Sequence, residues 1–305
     1  VDAERLKDSS GSSGNISGAE DDLDLSNISL YSDFSRMLDE EKLDVVSIAS
    51  PTFLHASQTK EALKAGLDVF CEKPMALNSL DCHQMANTAL QTGRNLQIGH
   101  CIRFWPEYVQ TKEIIDSQKY GLVLAASFQR LSLTPTWSWD NCFLDGKRSG
   151  GAMLDLHIHD TDFVQYVFGM PKEVFSRGLI GPSGDFDHTV TQYLYEDEKV
   201  ITAEGGWIMA PGFGFEMSFK IMLEKATLLY SSVQKPTFRV CPKNGENITP
   251  KVPEGDGYSF EIQHFVDSIS GKPVQAIITP EQSANSLKII EAEKESIRTK
   301  EKVSL

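Results

Sequence analysis

The chain has 305 residues, of which 40% are hydrophobic and 24% charged, so it is long enough to bury the cores of two domains. Its 29 basic and 43 acidic residues give a net charge of −14, which disfavours nucleic acids and anionic membrane surfaces as partners. No apolar signal segment opens the chain and no stretch approaches a membrane span, so the sequence predicts a cytoplasmic location. The five cysteines are widely spaced and include no Cys-x-x-Cys pair, which favours reduced thiols over disulfides or a zinc site.

The first hundred residues alternate between helical and strand-like patterns. The predicted elements, in chain order, are a helix end at 3–8, a polar loop at 9–24, a helix after Ser32–Asp33, a strand at 45–49, a helix at 55–65, a strand at 67–71, a helix at 78–92 and a strand at 95–99. The β-branched run at 45–49 is typical of a strand buried on both faces of a parallel sheet. This alternation predicts a Rossmann-like, doubly wound α/β unit over residues 1–100.

Beyond residue 100 the pattern changes to longer strands with alternating polar and apolar positions. The predicted elements are a helix at 106–118, a strand at 122–130, a helix at 150–168, several strands over 172–230, and helices at 258–268 and 280–299. Residues 101–305 are therefore predicted to form a second α/β domain with a large, mainly antiparallel open sheet.

The most informative segment lies at 150–162, where ionisable side chains are concentrated in an otherwise apolar helical pattern. On a regular helix Asp155 and His159 share a face, whereas His157 points elsewhere. A carboxylate one turn from an imidazole can fix its tautomer and support proton removal. Solvated acids near a helix N-terminus are the ordinary alternative. A metal site at His157, His159 and Asp160 is less favoured because the spacing does not bring the three residues to one face. A metal-dependent hydrolase with ligands from His100, His157 and His159 is a weaker alternative, since these residues have no established ligand spacing.

Two further segments follow predicted strands. Glu72-Lys73-Pro74 places a lysine where ligands bind in open α/β sheets, at the carboxyl ends of the strands. Such a lysine can hold a developing alkoxide, although a solvated surface ion pair has the same local sequence. The turn from Ser50 to Thr52, with His55 in the next helix, lets a planar ring lie close to the backbone.

The order of these segments resembles the glucose–fructose oxidoreductase and inositol dehydrogenase family, often called Gfo/Idh/MocA. Ser-Pro-Thr-x-x-His, Glu-Lys-Pro, Gly99 with Arg103-Phe104-Trp105-Pro106, and Gly-Gly-x-x-x-Asp-x-x-x-His follow one another along nearly the whole chain. The resemblance implies a nucleotide-binding N-terminal domain and a C-terminal α/β domain that supports homo-oligomers, either dimers or tetramers.

The resemblance also implies transfer of a hydride between NAD or NADP and a hydroxyl-bearing carbon of a sugar, cyclitol or related polyol. His159 then corresponds to the general base, Asp155 to the residue that orients it, and Lys73 to the donor that steadies the substrate oxygen. The residues implied to line the cofactor are Ser50, Pro51, Thr52, His55, Glu72 and Lys73. The residues implied to contact substrate are Arg103, Trp105, Asp155 and His157. The Lys73–Pro74 bond is cis in some relatives.

Two features depart from the family pattern. Position 157 is usually glycine in better-known members, and the Gly-x-Gly-x-x-Gly fingerprint that cradles a pyrophosphate is absent from the 305 residues. Asp2 falls near the position of the family's ribose-binding acid, so the sequence is expected to lack the first strand, glycine loop and helix. The alternative function is that of a non-catalytic truncated relative acting as a binding or regulatory subunit.

Overall fold

A computed structural model describes residues 27–305 of the chain. The helix end and loop expected over 3–24, and Asp2, lie outside these residues. The first elements are α1 (Phe34–Glu40), β1 (Val45–Ile48), α2 (Thr52–Lys64), β2 (Asp68–Glu72), α3 (Ser79–Thr92) and β3 (Leu96–Gly99). The predicted alternation is confirmed.

Capping residues mark the ends of α1 and α3. The Asp33 carboxylate accepts a hydrogen bond from the backbone N–H of Arg36 at the start of α1, and the Asn78 side chain does the same for Asp81 in α3. Gly93 ends α3 with a left-handed φ of 65°, a conformation that glycine adopts without a steric penalty.

The three strands form a parallel sheet in the order β1-β2-β3. The prediction that β1 is buried on both faces is wrong: Val46 and Ile48 are buried, whereas Val45 and Ser47 are exposed. Within the described residues only one face of β1 is covered, and a continuous β-branched run does not distinguish a strand covered on one face from one covered on both.

The second half contains the larger sheet and most of the helices. Its elements are α4 (Pro106–Asp116), β4 (Val123–Leu133), α5 (Gly146–Ser149), a π-helical turn (Met153–His157), α6 (Ile158–Phe168), β5 (Glu173–Ile180), β6 (Phe186–Leu194), β7 (Val200–Met209), β8 (Phe215–Leu223), β9 (Ala226–Ser231), β10 (Phe238–Pro242), α7 (Gly257–Ile269), α8 (Pro280–Thr299) and β11 (Val303–Ser304). The eight strands are ordered β10-β9-β8-β4-β7-β6-β5-β11, and only β4 and β7 pair in parallel. This mainly antiparallel sheet confirms the predicted α/β architecture.

The helix predicted over 150–168 is interrupted in the structure. Gly150 and Gly151 have positive φ angles of 80° and 70°, so they separate α5 from the π-helical turn. After Gly150 the helix resumes at Gly151, passes through the π-helical turn and continues as α6 from Ile158, so most of the predicted helix is present.

Helix α8 joins the two sheets. Its side chains Ala284, Leu287 and Ile290 belong to the same hydrophobic core as Val46 in β1 and Val69 in β2. The division at residue 100 stays a prediction, since this core contains residues from both sides of it. No helix within residues 27–305 is long and apolar enough to cross a membrane.

Candidate active site

A cleft of about 270 Å³ lies at the carboxyl ends of β1 and β2. All six residues that the resemblance assigns to the cofactor line it, namely Ser50, Pro51, Thr52, His55, Glu72 and Lys73. We call this the cofactor-side cleft. Its position matches the general rule that open α/β sheets bind ligands where parallel strands end.

His55 fixes the shape of the cofactor-side cleft. Its buried ring lies between the backbone oxygens of Ser50, 2.7 Å from Nε2, and of Pro74, 2.8 Å from Nδ1. The histidine thereby connects the turn after β1 with the turn after β2. The Lys73–Pro74 bond within the second turn is cis, as the resemblance implied.

A second cavity of about 330 Å³ adjoins this cleft, and we call it the substrate-side cavity. Lys73, Trp105, Asp155 and His159 line it. Lys73, Asp155 and Phe143 line both spaces. The chain therefore brings the proposed catalytic residues to the junction of the two.

Lys73 and Asp155 form an ion pair at this junction. The Lys73 ammonium donates to Oδ1 of Asp155 at 3.0 Å and to the backbone oxygen of the same residue at 2.8 Å. Both side chains keep a small exposed fraction, 17% and 16%. The ammonium is thus held in place while retaining access to the cavity.

The expected pairing of Asp155 with His159 is not formed among the described contacts. The Asp155 carboxylate is directed to Lys73, and the Nδ1 atom of His159 is buried without a hydrogen-bond partner within residues 27–305. The π-helical turn explains the difference, because its wider i→i+5 geometry rotates residues four apart away from one face. Asp155 therefore positions the lysine rather than the imidazole.

His159 is 8% exposed and lines the substrate-side cavity. Burial lowers the pKa of His159 well below its usual value, and the positive charges of Lys73 and Arg130 act in the same direction. The imidazole is consequently neutral at neutral pH. A neutral imidazole beside a bound hydroxyl can accept its proton.

Arg103, which the resemblance assigns to substrate, does not line the substrate-side cavity. It is 1% exposed, and its guanidinium holds Asp162 in a bidentate pair with two distances of 2.8 Å. Its remaining donors reach Ile277 and Gln282. A guanidinium with its donors satisfied in this way connects α6 to α8.

His157 is also absent from the cavity lining. Its ring is fully buried, with Nε2 3.1 Å from Oε2 of Glu293 in α8. Gly205 of β7 provides the space, since a Cβ atom there would lie 2.6 Å from Nδ1 of His157. The imidazole that replaces the family's usual glycine therefore packs inward, against α8 and β7.

Several lining residues were not found by sequence reasoning. Arg130, Trp137, Phe143, Trp207 and Asp256 line the substrate-side cavity. They lie in β4, in the segment between β4 and α5, in β7 and at the start of α7. The aromatic residues just after β4 were the available signal, because connecting segments at strand ends carry binding groups.

The cofactor-side cleft offers polar groups that can hydrogen-bond a bound cofactor. It combines a small-residue turn, the Thr52 hydroxyl and the Glu72 carboxyl beside Lys73. Within the described residues no group of three or more His, Cys, Asp or Glu side chains is placed to hold a metal ion.

Comparison with known proteins decides the family. Residues 13–100 match the oxidoreductase family with an NAD-binding Rossmann fold, and residues 108–229 match the Gfo/Idh/MocA C-terminal domain. The chain belongs to the Gfo/Idh/MocA family. The suspected resemblance is thereby confirmed, together with the expectation of a family of NAD-binding oxidoreductases.

Similar Gfo/Idh/MocA proteins include enzymes of sugars and cyclitols. The chain is 26% identical to D-glucoside 3-dehydrogenase of Escherichia coli over 305 aligned residues, covering 92% of this chain and 84% of that protein. It is 25% identical to myo-inositol 2-dehydrogenase of Thermotoga maritima, covering 90% and 84%. The solved structure of levoglucosan dehydrogenase with NADH and levoglucosan has a TM-score of 0.79 at 20% identity, covering 90% of this chain and 83% of that chain. This last likeness shows the fold.

Proposed function

We propose that this Gfo/Idh/MocA protein transfers a hydride between NAD or NADP and a hydroxyl-bearing carbon of a sugar, cyclitol or related polyol. The observation that carries the proposal is the meeting of the two spaces at Lys73 and Asp155, with the neutral His159 in the substrate-side cavity. Relatives named as glucoside and inositol dehydrogenases support the substrate class.

Each residue at the junction has a separate task in the proposed reaction. His159 accepts the proton of the substrate hydroxyl as the C–H bond of the same carbon breaks and the carbonyl forms. The Lys73 ammonium stabilises the negative charge that develops on the substrate oxygen. Asp155 positions that ammonium through the 3.0 Å contact. The nicotinamide, when bound, supplies the hydride acceptor. Reduction of a carbonyl uses the same groups in reverse.

The experiment combines cofactor binding with turnover. Fluorescence titration with NADH and NADPH is expected to give saturable binding, and a panel of polyols with NAD and NADP is expected to give reduced nicotinamide at 340 nm. His159→Gln should lose on the order of 10²–10⁴ in kcat while retaining NADH affinity, the range for removal of a general base. If neither NADH nor NADPH binds saturably, the proposal is overturned. That result favours the alternative function of a non-catalytic binding or regulatory subunit.

We also propose that the chain forms homo-oligomers, dimers or tetramers, through the outward face of the eight-stranded sheet. Val190 of β6 and Met222 of β8 are exposed on strands of this sheet. Exposed apolar side chains on a broad sheet are suited to burial against a second copy. Light scattering during size-exclusion chromatography should give a mass of at least two chains, and a monomer mass contradicts the proposal.

A further inference from the structure

Aromatic side chains dominate the walls of the substrate-side cavity. Trp105 and Tyr258 form an edge-to-face pair with ring centroids 6.2 Å apart. Phe143 and Trp207 form a tilted pair at 6.0 Å, and all four residues line the cavity. Aromatic faces provide large apolar contact areas, so they favour a ligand that presents C–H groups as well as hydroxyls.

The cations of this cavity already have carboxylate partners. Arg130 is buried and donates to Asp160 at 2.9 and 3.1 Å, while Lys73 donates to Asp155. Among the described lining residues these are the two formally cationic side chains. An anionic ligand would therefore find no unpaired counter-charge there.

Carboxylates in the cavity also disfavour anionic ligands relative to neutral ones. Asp256 lines the cavity and caps α7, accepting the backbone N–H of Ser259 at 2.7 Å. A bound uronate or phosphate would face both Asp256 and Asp155 after losing its hydration. Removing a carboxylate from water without a counter-ion costs several kcal/mol, whereas a neutral hydroxyl needs only a hydrogen-bond partner.

One buried donor in the wall lacks an acceptor. Trp207 is 2% exposed, and its indole Nε1 has no hydrogen-bond partner within residues 27–305. An unsatisfied buried N–H costs about 1–3 kcal/mol, a cost that a substrate oxygen would remove on binding. Trp207 therefore offers a ligand both an apolar ring face and an indole N–H that has no hydrogen-bond partner among the described residues.

We propose that this cavity selects an uncharged polyhydroxylated ring carrying an apolar face or apolar aglycone, with Trp207 and Asp256 as specificity-determining residues. The inference rests on the proposed function and narrows its substrate class. Because both cations are paired and Asp256 is also in the lining, an acidic group is disfavoured, while the aromatic pairs bind the apolar portion and the Trp207 N–H donates to a substrate oxygen.

Matched ligands test the charge and apolar components separately. The probes are methyl β-D-glucoside, phenyl β-D-glucoside and phenyl β-D-glucuronide, measured by turnover and by thermal shift in the presence of saturating NADH. The neutral phenyl glucoside should exceed the glucuronide at least 10-fold in kcat/KM or affinity, and should exceed the methyl glucoside several-fold. Equal or better use of the glucuronide overturns the inference, as does failure of all three probes to bind while NADH binds. Failure of NADH itself to bind is instead a failure of the proposed function.

Two substitutions assign the selectivity to residues. Asp256→Asn retains a good helix cap but removes the charge, so the glucoside-to-glucuronide ratio should fall about 5-fold or more. Asp116→Asn is the matched control on the exposed part of α4, and it should leave that ratio unchanged. Trp207→Phe removes the indole N–H together with part of the buried ring, so it should lower the melting temperature somewhat as well as lowering kcat/KM for phenyl glucoside 5- to 10-fold, with NADH affinity unchanged. An unchanged ratio in Asp256→Asn, or unchanged kcat/KM in Trp207→Phe, contradicts the role given to that residue.

Discussion

His159 owes its chemistry to the charges and burial around it. The ring is almost completely buried and lies close to two cationic side chains, Lys73 and Arg130, with His100 nearby. Each of these neighbours disfavours a second proton on the imidazole. The same two cations are paired with Asp155 and Asp160, which reduces the net positive charge next to His159 without removing their effect on its pKa.

The pH dependence of catalysis follows from this environment. Because the pKa of His159 is lowered, the folded enzyme keeps the base form at pH values below 6.5, the usual value for histidine. We expect kcat/KM for polyol oxidation to hold constant as pH falls from 7.5 to 6.5 and to decline only at lower pH. The measurement is a kcat/KM profile between pH 4.5 and 8, with His159→Gln as the variant that lacks this acid limb. An acid limb with its midpoint at or above 6.5 contradicts the assignment.

At the scale of secondary structure, the π-helical turn and α8 form one unit. His157 in the turn contacts Glu293, which in turn accepts a hydrogen bond from Thr161 of α6 at 3.2 Å. The Tyr193 hydroxyl lies 2.9 Å from the Thr161 hydroxyl. These fully buried side chains attach α8 and β6 to the segment that carries Asp155 and His159.

A double-mutant cycle measures how far this unit depends on the His157–Glu293 contact. His157→Leu should lower the free energy of unfolding by about 1–3 kcal/mol, since it removes the polar group next to the buried Oε2 atom of Glu293, while the Thr161 hydroxyl remains at the other oxygen. Adding Glu293→Gln should recover part of that loss, because a neutral amide is less costly to bury than a carboxylate. Urea denaturation of the four proteins gives the coupling energy. Strictly additive effects would show that the two side chains act independently.

The sequence predicted the position of the cofactor-side cleft because the residues that line it also end the strands before it. The turns at Ser50–Thr52 and Glu72–Pro74 follow short strands, and strand ends are set by local proline and β-branched residues. Their convergence in one cleft follows from parallel pairing of β1 and β2. The elements that carry the cofactor-side cleft were therefore predictable from the chain.

The interior of the 150–168 segment was not predictable in the same way. A 3.6-residue period cannot register a π-helical turn, so Asp155 and His159 were placed on one face. Arg103 pairs with Asp162, 59 positions away along the chain, and His157 lies next to Glu293, 136 positions away. Local sequence patterns carry no information about partners at such separations. Trp207 reaches the cavity only because β7 pairs with β4 in the large sheet.

At the scale of the whole molecule, acidic residues from both halves meet beneath the active site. Glu261 of α7 is 1% exposed, and its Oε2 atom has no hydrogen-bond partner among the described residues. Burial raises the pKa of Glu261 to about 9, and repulsion from Glu72 and Asp256 adds to the effect, against a smaller opposing attraction from Lys73. At neutral pH this carboxyl is therefore protonated in the folded protein and ionised in the unfolded chain.

The stability of the whole fold should consequently decline as pH rises from about 4.5 to about 9. A raised pKa contributes stability that is fully present below 4.5, the unfolded value, and is lost as pH rises through the folded value of about 9. The loss is on the order of 1 kcal/mol per pH unit within that window. Glu261→Gln keeps the shape and the neutral state, so its free energy of unfolding should change less between pH 6 and 9 than that of the unmodified protein. It should also be the more stable of the two at pH 9.

Urea denaturation at pH 6, 7, 8 and 9 provides the test, with Glu113→Gln on the exposed surface of α4 as the control for loss of one carboxylate. The control should follow the unmodified protein at every pH, because an exposed carboxyl titrates alike in both states. Parallel curves for Glu261→Gln and the unmodified protein would mean that the Glu261 carboxyl is ionised in the fold. In that case the Lys73 ammonium would attract two negative charges, Asp155 and Glu261. Its interaction with a substrate oxygen would then depend on Glu261 in α7 as well as on Asp155 in the π-helical turn.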